Sequence, residues 1–253
     1  MTTEFILLCV AAFLAGFTDA ISGGGGLIQL PAALVLLPQY PAVTVIGTLK
    51  LPAMSGTLVA AVQYARKIKF NMALIAVLII TSFCTAMAGS KLLTMVSNDF
   101  IKPFLLVVLI GVAIYTYSNK KFGTHTDTNH SPAQQWWRAV MISLLLGFYD
   151  GFIGPGAGSF MMLGFISLLG FDFLKASAHT KMVNLASNLG SFVFFILSGK
   201  IIYAIALPMA GCNALGGWLG ARLAILKGNA FIRLFFLAVI IIVIMRFAYD
   251  VFK

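Results

Sequence analysis

The sequence predicts an all-α polytopic membrane protein made of two homologous halves, with about eight to ten membrane segments. Three observations predict it. The 253-residue chain has a mean hydropathy of +1.00 and only 9% charged residues, whereas an average soluble domain carries about 25%. Its apolar stretches are long and lack the alternation of roughly ten-residue barrel strands, so they read as helices. Finally, the chain matches itself when slid by 131 residues without gaps.

At that offset Gly16-Phe17-x-Asp19 meets Gly147-Phe148-x-Asp150, Gly23 and Gly25 meet Gly154 and Gly156, and Lys50 meets Lys181. Farther on, Gly89-Ser90-Lys91-Leu92 meets Gly220-Ala221-Arg222-Leu223, and Asn98, Phe100, Ile101 and Lys102 meet Asn229, Phe231, Ile232 and Arg233. Apolar composition produces chance Leu and Val matches, but not Asp, Lys, Asn and Gly at one spacing. The halves are read as 1–118 and 136–253, a layout found in many secondary transporters. Between them, 119–135 is a polar loop that the topology reading places in the cytoplasm. Its His125, His130 and Asp127 are taken as solvated loop residues rather than metal ligands. Trp136-Trp137-Arg138 marks re-entry at the membrane interface.

Each half divides into five apolar segments: 4–21, 24–37, 42–65, 70–96 and 100–118, then 137–153, 157–169, 173–197, 201–226 and 230–250. The stretch Phe5 to Thr18 has no basic region before it and is read as a retained span, not a signal peptide. The second segment of each half is short. Roughly 14 helical residues rise about 21 Å, against about 30 Å of hydrocarbon. It is either a short span or a re-entrant half-helix. Five crossings per half invert the second half; four keep it parallel. Basic residues favour inversion. Arg66, Lys67 and Lys69 face only Lys200 at the equivalent link, Pro38–Pro41 gives way to a turn with Lys175, and Lys91 and Lys102 become Arg222, Lys227 and Arg233. That pattern places the middle loop inside the cell and both termini outside. Eight spans with both termini inside is the alternative. Cys9, Cys84 and Cys212 lack metal or redox spacing and read as buried small hydrophobes.

Three elements converge on a candidate site. The first is a pair of glycine-rich breaks, Asp19-Ala20-Ile21-Ser22-Gly23-Gly24-Gly25-Gly26 and Asp150-Gly151-Phe152-Ile153-Gly154-Pro155-Gly156-Ala157-Gly158-Ser159. Such runs interrupt a helix, and freed backbone in a membrane must be satisfied by protein or by a wet cavity. A helix restarting there aims N–H groups at that cavity and favours an anion. Close packing through small residues is the plainer alternative.

The second element is the lysine helix. Lys50 lies nine residues past Pro41, and Lys181 nine past Asp172, a climb of about 13.5 Å. Lys181, Asn184, Asn188 and Ser191 share one helix face, whereas Lys50 is followed by Ala53 and Thr57, so the two halves need not be equivalent. The third element is Asp19 and Asp150, read as charge partners, proton carriers or caps of the half-helix that follows, with His179 a further candidate for charge pairing or proton coupling. The substrate-binding set is thus Lys50, Lys181, Asn184, Asn188, Gly23, Gly24, Gly25, Gly154, Gly156 and Ser159.

On these residues the chain resembles the sulfite exporter TauE/SafE family of bacterial inner-membrane permeases. The likeness rests on the glycine-rich first segments, on Thr180-Lys181-Met182-Val183-Asn184-Leu185-Ala186-Ser187-Asn188 with Ser198-Gly199-Lys200 after it, and on the two-half layout. It covers essentially the whole chain. The resemblance implies inner-membrane transport of small sulfur-containing anions such as sulfite or organosulfonates. Gly47-Thr48-Leu49-Lys50-Leu51-Pro52 departs from the polar version in the second half.

The expected function is therefore a secondary transporter by alternating access, whose solute, by the resemblance, is a small sulfur-containing oxyanion or organosulfonate, with either a proton relay through the aspartates or the anion's own gradient supplying direction. An anion channel filtering at the glycine runs is the alternative. An intramembrane enzyme using an Asp19–Asp150 dyad is less favoured, because a repeat alone duplicates that motif. No nucleotide-binding loop or metal-ligand spacing occurs, and no cofactor is expected. The net charge of +10 is read as topology-setting rather than as a nucleic-acid signature. Expected partners are the lipid bilayer and a small anionic solute; a homo-oligomer is left open.

Overall fold

The computed structural model describes residues 2–97 and 132–252. Regular structure among them is helical throughout: α1 (Thr2–Ser22), α2 (Gly26–Leu36), α3 (Ala42–Ala65), α4 (Met72–Met95), α5 (Pro132–Phe152), α6 (Ala157–Leu169), α7 (Phe173–Leu197) and α8 (Tyr203–Phe252). Among the described residues five stretches are long and apolar enough to cross a bilayer: α1, α3, α4, α7 and the Tyr203–Phe236 part of α8. The chain is a multi-pass membrane protein. The expected segment 100–118 and the loop histidines His125 and His130 lie outside the described residues.

Local chemistry sets the helix ends. Asn71 opens α4 by accepting from the Leu74 amide at 3.2 Å, and Asp172 opens α7 by accepting from the Lys175 amide at 2.8 Å. Pro132 opens α5, where a missing N–H costs nothing, so that helix begins before the expected 137. Within α8, Gly228 has φ 68° and ψ −160° and interrupts the helical run. That region of the map is nearly closed to any residue with a side chain. The break falls between the segments expected at 201–226 and 230–250.

The helix starts repeat. Those of α2, α3 and α4 lie 131 residues before those of α6, α7 and α8. The packing partners are exchanged between the two sets. Helix α1 lies on α8 while α5 lies on α4; α3 also lies on α8 while α7 also lies on α4; and α3 meets α7. These contacts are close because small residues line them. A Cβ on Gly216 or Gly220 would run into the backbone of Phe13 or Phe17, and one on Gly89 or Gly151 into that of Phe148 or Ala86. Two helices that share apolar solvent associate through such close approach, since burial from lipid gains nothing.

The outside of the bundle is apolar. Val35, Met72, Leu197 and Leu226 are among its most exposed side chains. The inside holds Ser82, Ser90, Asp150, Lys181, Asn184, Ser187 and Asn188, all buried. This is the distribution of a protein whose surface solvent is hydrocarbon. The three cysteines depart from expectation: Cys84 is exposed and Cys9 and Cys212 are half-buried. A thiol is a small hydrophobe, so a lipid-facing position suits it as well as a core.

Gly220→Ala is expected to lower the thermal unfolding midpoint of the purified protein, at a cost of about 2 kcal/mol or more from overpacking. Gly211→Ala in the same helix has no neighbour within 4 Å of the new Cβ among the described residues and should leave the midpoint unchanged or raise it. Equal midpoints for the two variants would contradict the packing described.

Candidate solute-binding site

Both glycine runs break their helices and cross each other. Gly23 has φ +76°, and a side chain there would meet the backbone of Gly158. The Ser159 amide donates to the Gly23 carbonyl at 3.1 Å, and Ser159 Oγ to the Ser22 carbonyl at 2.9 Å. Other carbonyls freed at the breaks also find partners. Tyr64 Oη donates to Ala20 at 3.0 Å, Ser90 Oγ to Gly151 at 2.9 Å, and Tyr149 Oη to Pro155 at 2.7 Å. Broken backbone is thus tolerated in the apolar interior because neighbouring helices satisfy it.

The two lysines sit beside these breaks, and each pairs across the repeat. Lys50 Nζ on α3 donates to the Asp150 carbonyl at 2.6 Å and lies 3.3 Å from its Oδ1. The carbonyl belongs to the last turn of α5, where unpaired oxygens attract a cation. Ser187 Oγ on α7 donates to the other oxygen, Asp150 Oδ2. Lys181 Nζ on α7 lies 2.7 Å from Asp19 Oδ2 on α1, which Thr57 Oγ1 approaches at 3.4 Å. Gly154, at φ +95°, allows the first arrangement: a Cβ there would come within 3.4 Å of Lys50 Nζ and 3.2 Å of Asp150 Oδ1.

A cavity of about 70 Å³ opens between the breaks and helices α1, α2, α3, α7 and α8. It has room for several waters or one small polyatomic solute. Among the expected site residues, Lys50, Asn184, Asn188, Gly23, Gly25, Gly154, Asp19 and Asp150 line it. Gly24, Gly156, Ser159, Lys181 and His179 do not. Lys181 is 1% exposed and stands behind Asp19, the cavity-facing member of that pair. Ser159 holds the two breaks together. His179 lies among Phe70, Phe165 and Phe171, with its Nδ1 2.8 Å from the Lys175 carbonyl.

Four polar residues absent from the expected site belong to its surroundings: Gln29, Thr57, Ser187 and Asn213. Asn213 Nδ2 on α8 donates to Gln29 Oε1 on α2 at 3.1 Å. The Gln29 Nε2 group is buried and has no partner among the described residues. An unpaired buried donor costs about 1–3 kcal/mol. A signal for Gln29 was present in the repeat, where it stands opposite Phe160. On α7, Asn188 Nδ2 donates to Asn184 Oδ1 at 3.0 Å, which turns the Asn184 amino group away from that bond. The lining therefore offers an ammonium, amide N–H groups and the N-terminal end of α2 at Gly25 and Gly26, together with two carboxylates.

The sequence pattern of the sulfite exporter TauE/SafE family matches residues 8–247. The chain belongs to the sulfite exporter TauE/SafE family. Relatives of this TauE/SafE chain include a probable membrane transporter protein, ORF9, of a Sinorhizobium species, 39% identical over 89% of this chain and 85% of its own. One from Haemophilus influenzae, also a probable membrane transporter protein, is 38% identical over 90% of this chain and 88% of its own. The probable membrane transporter protein YfcA of Escherichia coli is 34% identical over 96% of this chain and 89% of its own. No solved structure matches the chain significantly. Family and relatives are membrane transporters, not enzymes, so a carboxylate-dyad protease is set aside.

Lys181→Met should leave the half-buried, cavity-facing Asp19 carboxylate without a counter-charge and destabilise the protein by about 1–3 kcal/mol, less than the loss of a partner from a fully buried pair. Lys181→Met with Asp19→Asn should recover most of that loss, since a neutral pair needs no compensation. Unfolding midpoints of the four proteins in the cycle measure the coupling, and additive losses would show that the pair does not interact.

Proposed function

We propose that this protein is a secondary transporter in the cytoplasmic membrane that carries a small sulfur-containing oxyanion or organosulfonate, together with a proton, by alternating access. The observation that carries the reading is the cavity between the crossed helix breaks, with Lys50 and Asp150 in its wall beside amide donors. Family membership supports a small solute of this class. Exchange of packing partners between the repeats supports rocking of one helix set against the other.

Electrostatics links the anion to the proton. Lys50 and Asp150 cancel, as do Lys181 and Asp19, so an incoming anion finds no net positive charge. It must take the place of a carboxylate on Lys50 Nζ. For a monoanion such as hydrogensulfite or methanesulfonate, protonating Asp150 leaves the ammonium to the guest and keeps the total charge of the site constant, which avoids burying an uncompensated charge in low dielectric. Anion and proton then enter and leave together.

Sulfite, thiosulfate, methanesulfonate or a related small anion is expected to raise the unfolding midpoint of the purified protein, because a ligand of the folded state stabilises it by mass action. Sulfate and acetate serve as comparison anions. In liposomes, flux of the stabilising anion should saturate, show trans-stimulation and drive uptake along an imposed proton gradient. Asp150→Asn should still exchange anion but lose the response to that gradient. Large ohmic currents would instead indicate a pore, and a proton gradient without effect on the wild-type protein would remove the coupling.

A further inference from the structure

Gln29 is the one glutamine of α2, sits in the cavity wall and is 4% exposed. Its Oε1 accepts from Asn213, and its Nε2 donates to nothing among the described residues. Two side-chain amides joined by a single N–H···O bond always leave one amino group over, whichever way the pair is oriented. Protein groups hold the pair in place. A Cβ on Gly56 would collide with Asn213 Oδ1, and one on Gly16 with its backbone carbonyl. In the observed orientation the leftover donor lies on α2, whose start at Gly25 and Gly26 forms wall of the same cavity. Its first-turn amides carry partial positive charge. A group that can only donate, beside an end of a helix that favours negative charge, is matched by a solute rich in acceptors and not by a cation. Position 160, the repeat equivalent of Gln29, is a phenylalanine packed against Tyr149 at 6.0 Å between ring centroids. The amide is therefore peculiar to the half whose short helix walls the cavity from Gly25 to Leu30.

We propose that Gln29 contacts the transported anion directly, donating Nε2–H to one of its oxygens, and that Asn213 is the positioning residue that holds this amide. The inference rests on the transport reading above and names a second contact of the same site: Lys50 takes the charge, and Gln29 selects for an oxygen acceptor. Ligands lacking a second oxygen should bind weakly.

The test uses the full-length protein purified in detergent, with sulfite and methanesulfonate as probes, and reads both the unliganded melting temperature and the dissociation constant. Gln29→Met keeps length and volume but removes the donor. It is expected to weaken binding of both probes about tenfold while leaving the unliganded midpoint in place. Asn213→Ala should weaken binding alone but add nothing in the Gln29→Met background; additive losses would overturn the positioning role. Gln29→Glu still accepts from Asn213 but presents negative charge, and it should abolish binding near neutral pH, which covers the case of a Gln29→Met protein that fails to fold. Wild-type affinity in either Gln29 variant overturns the inference, including when Gln29→Met melts early, which assigns the residue a structural role alone. If the wild-type protein itself binds neither probe, the transport reading fails first and takes this one with it.

Discussion

Two ammonium groups lie inside an apolar bundle, and each finds its carboxylate on the opposite repeat. Lys50 from the first reaches Asp150 of the second, and Lys181 from the second reaches Asp19 of the first. Removing charge from water is costly, and pairing repays it only with good geometry and further hydrogen bonds. Ser187 and Thr57 contribute those bonds, as does the α5 carbonyl. Because each pair spans both repeats, neither set of helices reaches its final charge state alone. The glycine breaks put the aspartates and the lysines within reach, and the crossing at Gly23 and Gly158 holds the breaks together.

Much of the fold was legible because its constraints are local and periodic. Hydropathy placed α3, α6 and α7 at their observed ends, and the 131-residue self-match supplied the recurrence of the helix starts. Glycine density located both breaks. The exchanged packing of α1 on α8 and α5 on α4 was not legible, since a single sequence shows which residues are small but not which small surfaces meet.

The site was legible in its charges and not in its depth. Lys50 and Asp150 line the cavity, while Lys181 shares the motif of Lys50 yet sits behind Asp19. Helical spacing gives the face a residue occupies, not what stands in front of it. His179 drew notice as a candidate proton carrier or charge partner, but its aromatic neighbours come from 70, 165 and 171, remote in sequence. Gln29 escaped because an isolated amide in an apolar stretch has an ordinary structural role in most proteins, and its significance depends on a partner 184 residues away.

Two carboxylates and two ammonium groups sum to nothing, and that balance bears on how the molecule feels membrane voltage. A field of 100 mV acts on one elementary charge with about 2.3 kcal/mol, but it has no grip on a cluster that moves as a neutral whole. On the alternating-access reading proposed above, reorientation of the unloaded bundle is indifferent to polarisation of the bilayer, and any electrical sensitivity has to arrive with the cargo.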